Sequence, residues 1–136
     1  MSDELIIPDN LSKEVLKSIF DAALMDTSYD NDGDLVVKEQ VRCVVLLSKS
    51  NDRISYVTLF GFNPEVPQSA RLECANRINS ELIVVKAIVG NNNILRFEYD
   101  ILVSGGISKK AIVLTLRRFC SIPRAAVSKF AEDLIE

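Results

Sequence analysis

Leu102-Val-Ser-Gly-Gly-Ile-Ser-Lys-Lys-Ala-Ile-Val-Leu-Thr-Leu-Arg-Arg-Phe119 decides how the chain is read. Its first residues end a strand, Gly105 and Gly106 supply a turn, and Ser108 stands where a helix N-cap is wanted. Ile107 and Ile112 take the N′ and N4 positions of a hydrophobic staple. Ile112, Leu116, Phe119 and Cys120 recur at helical spacing, with Ala111 and Leu114 widening the same face. The junction predicts a strand that delivers a long helix back onto a sheet. Lys109 and Lys110 at a helix start invite comparison with a phosphate cradle. Neither GxxxxGK[ST] nor GxGxxG is present, so the stretch reads as a structural turn.

The preceding strand, Ile94 to Val103, carries the clearest pattern. Leu95, Phe97, Tyr99, Ile101 and Val103 alternate with Arg96, Glu98, Asp100 and Ser104, one face for a core and one for water. Arg96, Glu98 and Asp100 read as a solvated, lightly paired face in preference to an acid–base set. Gly90-Asn-Asn-Asn93 joins this strand to a partner at Ile83 to Val89.

Farther upstream, Leu11, Val15, Leu16, Ile19, Phe20, Ala23 and Leu24 mark one face of a helix, entered at Pro8 with Asp9, Asn10 or Ser12 as cap. Arg42 to Lys49 and Arg53 to Phe60 read as a hairpin around Ser50-Asn-Asp52, and the second has no strongly polar face, which marks a central strand. Gly61 to Pro67 breaks the sheet. Gln68 to Leu82 returns to helical spacing with a stripe of Leu72, Ala75, Ile78 and Leu82. Asn76 and Asn79 beside that stripe read as ties from the helix end to an adjacent loop. Pro123 interrupts or kinks the long helix, and a last helical piece carries Val127, Phe130, Leu134 and Ile135 inward.

Ser28, Asp30, Asp32, Asp34 and Glu39 approximate an EF-hand loop, with Gly33 at the sharp bend. The first ligand position is Ser in place of Asp, the ninth is Val36, and β-branched residues follow where an exit helix belongs. A polar turn from helix to strand, with the aspartates satisfying local backbone donors, is the stronger reading; a Ca²⁺ or small-ligand sensor on 28–39 is the alternative.

The chain has 136 residues, enough for one domain over 1–136 with 1–9 expected to be flexible. A net charge of −3 argues against a nucleic-acid partner. No apolar run approaches the roughly 18 residues of a membrane span, and the acidic start lacks signal-peptide character, so a cytoplasmic protein with no membrane partner is expected. Cys43, Cys74 and Cys120 sit in apolar segments without a CxxC pair and read as buried small hydrophobes. There is no histidine, which removes Ser–His and Cys–His nucleophile pairs and the commonest general base. No catalytic or cofactor-binding residue is assigned.

The residues Phe60-Gly-Phe-Asn63, Cys74-Ala-Asn-Arg-Ile-Asn79, Leu95-Arg-Phe-Glu-Tyr-Asp100, Gly105-Gly-Ile-Ser108 and Leu116-Arg-Arg-Phe119, in this order, resemble the YbjN family of bacterial sensory transduction regulators over about 10–135. The resemblance implies an α+β fold like that of type III secretion chaperones: an antiparallel sheet of about five strands, helices packed on one face, order α-β-β-β-α-β-β-α. It also implies a non-enzymatic role without cofactor, a homodimer, and a protein partner or client. Asn76, Asn79, Gly105, Gly106 and Phe119 are the positions that carry the family motif. The chain departs from its relatives in lacking tryptophan.

Overall fold

The structure, a computed structural model, describes residues 4–136. Helix α1 (Lys13–Ala22) is followed by strands β1 (Asp26–Tyr29), β2 (Leu35–Lys38), β3 (Arg42–Leu47) and β4 (Arg53–Gly61). Helix α2 (Gln68–Glu81) leads to β5 (Lys86–Val89) and β6 (Ile94–Leu102), and α3 (Lys109–Cys120) and α4 (Pro123–Phe130) close the chain. The strands form one sheet in the order β1-β2-β3-β4-β6-β5, antiparallel at every step.

The α+β architecture holds, with six strands where five were expected. The added strand is β1, Asp-Thr-Ser-Tyr, which lacks the apolar alternation that announces a strand and is held by pairing with β2. The central position of β4 holds as well. Its inner side chains Ile54, Tyr56 and Phe60 meet Leu95, Phe97 and Ile101 of β6 and the buried faces of the helices in a single core. Val36 and Val57 are buried but stand outside that core, on the opposite face of the sheet.

Local chemistry explains the ends of α1 and α3. Ser12 and Ser108 accept hydrogen bonds from the amides of Val15 and Ala111, each at 3.0 Å, satisfying one orphan donor per helix. Between β6 and α3, Gly106 takes φ 87°, a conformation that side chains avoid, and an added Cβ would lie 3.0 Å from Leu5 Cδ1. Leu5 is close because Ile6 pairs with Ile107 through backbone bonds of 2.8 and 2.9 Å and buries its side chain. Of the segment 1–9, residues 1–3 lie outside the described residues, and Pro8–Asn10 forms a 3-10 turn.

Several expectations are corrected. Leu24 follows α1 at φ 63° and is 94% exposed, because α1 ends at Ala22 and the chain reverses there. The buried stripe of α2 is Arg71, Cys74, Ala75 and Ile78, leaving Leu72 exposed. The Arg71 guanidinium bonds to the carbonyls of Val66 (3.0 Å), Asn63 (3.3 Å) and Pro64 (3.3 Å) and stacks over Phe62. A loop containing two prolines offers more acceptors than donors, and that imbalance draws the cation inward. Residues 83–85 are not strand, since Val84 adopts φ 78° and β5 starts at Lys86. The last helix ends at Phe130, and Ile135 instead forms a bridge with Phe62. Leu114 is half exposed, on the rim of α3.

The two junction glycines are predicted to differ. Gly106→Ala should lose about 1–2 kcal/mol in equilibrium urea unfolding, from the positive φ and the Leu5 contact. Gly105→Ala, with no atom within 4 Å of its new Cβ, should stay within about 0.5 kcal/mol of wild type. Equal losses at both sites would contradict this account of the turn.

Candidate functional site

The acidic stretch is the tip of the β1–β2 hairpin. Asp30 Oδ1 accepts from the amides of Asp32 and Asp34 at 2.9 Å each, and the Asp30 amide donates to the Asp34 carbonyl at 2.9 Å. Gly33 takes φ 81°, and its carbonyl accepts from Lys13 Nζ at 2.6 Å. One carboxylate oxygen from each of Asp30, Asp32 and Asp34 lies within 4.8 Å of the others. The remaining EF-hand positions are elsewhere: Ser28 pairs with Val36 inside the sheet, and Glu39 lies beyond β2, 3.9 Å from Arg117. The turn joins two strands, β1 and β2, where the sequence predicts a turn from helix to strand. Its hydrogen bonds are those of a tight polar hairpin end.

This tip borders the uncovered face of the sheet. Register places Val36, Val44 and Val57 in one row across β2, β3 and β4, with Leu46 and Leu59 flanking it. Val44, Leu46, Val57 and Leu59, together with Arg42, Arg96 and the hairpin aspartates, line a concavity of about 440 Å³. Leu59 is 52% exposed at its edge. Arg42 approaches Asp30 at 3.9 Å, so the acidic and basic parts of the rim face each other. An apolar floor inside a rim of both signs is the surface chemistry of a protein contact.

Beside the concavity, Glu98 is held between Lys86 (2.8 Å) and Arg96 (2.7 Å), and Ser55 donates to Asp100 at 2.5 Å. Glu98 is therefore paired both along its own strand, with Arg96, and across to Lys86 of β5. Burial pushes the Glu98 carboxyl up, but the hydrogen bonds from Lys86 and Arg96 outweigh it and leave its pKa below the ordinary value.

The family-motif residues are mostly structural. Asn79 donates to the Ala87 carbonyl (2.9 Å) and accepts from the Ala87 amide (2.7 Å), so its amide group completes the outer edge of β5 as a neighbouring strand would. It ties α2 to an edge strand, where a loop was expected. Asn76 is exposed on α2, its carbonyl accepting from Ser80 Oγ at 2.7 Å. Phe119 is fully buried against the Tyr56 ring, with centroids 6.1 Å apart. Gly105 and Gly106 form the β6–α3 turn. Lys109 and Lys110 stand in the first turn of α3, facing α1. Cys43, Cys74 and Cys120 are buried free thiols. The neighbouring Cys120 thiol and burial push the Cys43 thiol well above its usual pKa. Sequence reasoning missed Leu59 as an exposed site residue and Arg71 as a buried clamp; the only available signal for Arg71 was its place just after the proline loop.

Because the folded pKa of Glu98 is depressed, its pairs stabilise the fold above the unfolded value of about 4.3 and cease to do so as pH falls through the folded value. Glu98→Gln should therefore flatten the acid limb of a urea-midpoint-against-pH curve. An acid limb identical to wild type would refute the assignment.

In the described residues no helix is long and apolar enough to cross a membrane. No curated protein sequence matches the chain. Among solved structures, "YbjN, a putative transcription regulator from E. coli" superposes with a TM-score of 0.78 at 16% identity, covering 98% of this chain and 99% of that one. The HopA1–SchA chaperone–effector complex contains a chain similar at a TM-score of 0.59 and 12% identity, with 83% and 90% coverage. The Yersinia pestis type III secretion chaperone SycH, in complex with a fragment of YscM2, is similar at 0.54 and 10%, with 85% and 97% coverage. These likenesses establish the chaperone-like fold. The profile described as "Putative bacterial sensory transduction regulator" matches residues 12–134, and the chain belongs to the YbjN family.

Proposed function

We propose that the chain is a non-enzymatic, protein-binding regulatory domain of the bacterial cytoplasm, chaperone-like in action, that works as a homodimer. The observation that carries this reading is the uncovered sheet face, where Val44, Leu46, Val57 and Leu59 form the floor of an open concavity. Exposed apolar floors within polar rims mark interaction surfaces on soluble proteins. Similar folds occur in a chaperone–effector complex and in a chaperone bound to a fragment of another protein, which supports a protein partner here. The charges that line the sheet face, Arg96 and Glu98 among them, are paired with each other and hold the surface in shape.

Light scattering behind size exclusion should give about twice the chain mass of 15.1 kDa, and a monomer at every concentration would contradict the dimer. Capture from the native cell should recover a partner with the wild-type chain and lose it with Leu59→Asp, whose exposed position leaves folding intact. Equal recovery by both would remove this face from the reading.

A further inference from the structure

We propose that the groove between α1 and α3 docks an acidic amphipathic helix of a protein partner. The proposal rests on the protein-binding reading above but concerns a separate surface on the other side of the molecule. The groove encloses about 420 Å³. Its floor is apolar, and Ala22 and Ala23 are too short to fill the seam between the two helices. Leu114, 50% exposed, forms one wall.

Three cations stand around this floor in a chain whose net charge is −3. Arg117 is tethered at one end, donating to the Ala23 carbonyl at 3.3 Å and lying 3.9 Å from Glu39. Lys109 and Lys110 make no ion pair among the described residues. In the first turn of α3 they oppose the helix dipole, where Asp or Glu would stabilise it. Helix stability gives no reason for them. An anionic occupant does.

A second departure from local rules flanks the same groove. Leu24, next to Ala22 and Ala23, occupies a left-handed position that glycine favours and projects almost wholly into solvent. Local rules broken without compensation inside the chain concentrate where something outside it binds. The walls are helices whose backbone groups are bonded internally, so an extended segment would find no strand edge to join. Side chains alone offer contact, and that is the helix-in-groove mode, with apolar anchors inserted and acidic residues toward the lysines.

The test is fluorescence anisotropy with two synthetic amphipathic peptides of about 18 residues, long enough to form helix on binding. Both carry Leu at i, i+3, i+4 and i+7; the remaining positions are rich in Glu in one and in Lys in the other. The acidic peptide should bind saturably and more weakly as salt rises, and the basic one should not bind. Lys109→Glu with Lys110→Glu, and separately Leu114→Ser, should each weaken binding at least about tenfold, roughly 1.4 kcal/mol, with unchanged far-ultraviolet circular dichroism. Equal binding of both peptides, or full binding by the double variant, overturns the proposal. So does binding only to phosphatidylserine vesicles, which would make the groove a membrane contact. A halved light-scattering mass for the double variant would assign the groove to a second copy and overturn it as well. If peptide binding fails while the dimer and Leu59-dependent capture persist, only this inference falls.

Discussion

The Tyr56 hydroxyl donates to the Ile112 carbonyl at 2.9 Å, in the first turns of α3, and the arrangement of both layers depends on that contact. Tyr56 lies on β4, the strand between β3 and β6, and is fully buried. Burial holds its phenol well above the usual pKa, so it remains a donor throughout the working range. Its ring meets Phe119 two turns farther along α3, giving that helix a polar and an apolar anchor on one strand residue. The Gly106 turn and the Ser108 cap aim α3 at this anchor. A buried hydroxyl without its acceptor costs about 1–3 kcal/mol, so the register between helix and sheet is strongly fixed.

Placing the core on one side of the sheet has consequences for the other side. Val44, Leu46, Val57 and Leu59 on the outer face of β3 and β4 are apolar, and they stand opposite the face on which the helices pack. The twofold capture of Ala87 by Asn79 closes the β5 edge, and Glu98 of β6 pairs with Arg96 on its own strand and Lys86 on β5. What remains available is the apolar floor around Leu59 on one face and the seam between α1 and α3 on the other. The fold thus supplies two unlike surfaces, one mixed in charge and one basic.

Much of this was legible in the residues. Strand β6 and the β6–α3 junction carry unambiguous period-two alternation, turn glycines and a capping serine, and both formed as read. The burial of Cys43, Cys74 and Cys120 followed from their apolar surroundings. Strand β1 was not legible, because its pairing with β2 is tertiary and its side chains are mostly polar. Spacing alone places Leu24 and Leu72 in the core, and both are exposed. In α2 the carbonyls of the proline loop hold Arg71 inward, and Arg71 and Cys74 take buried places beside Ala75 and Ile78. Hydrophobic periodicity has no means of registering a buried guanidinium. The outer-face concavity was likewise hidden: its floor residues come from separate strands, and only the register of the sheet brings them together.

The most direct test of this arrangement is amide hydrogen exchange, by mass spectrometry, on Tyr56→Phe. The substitution keeps the ring and removes only the donor to Ile112. The account predicts faster exchange through α3, with protection of β4 and β6 retained. Protection in α3 identical to wild type would show that the Tyr56–Ile112 bond does not hold the helix on the sheet.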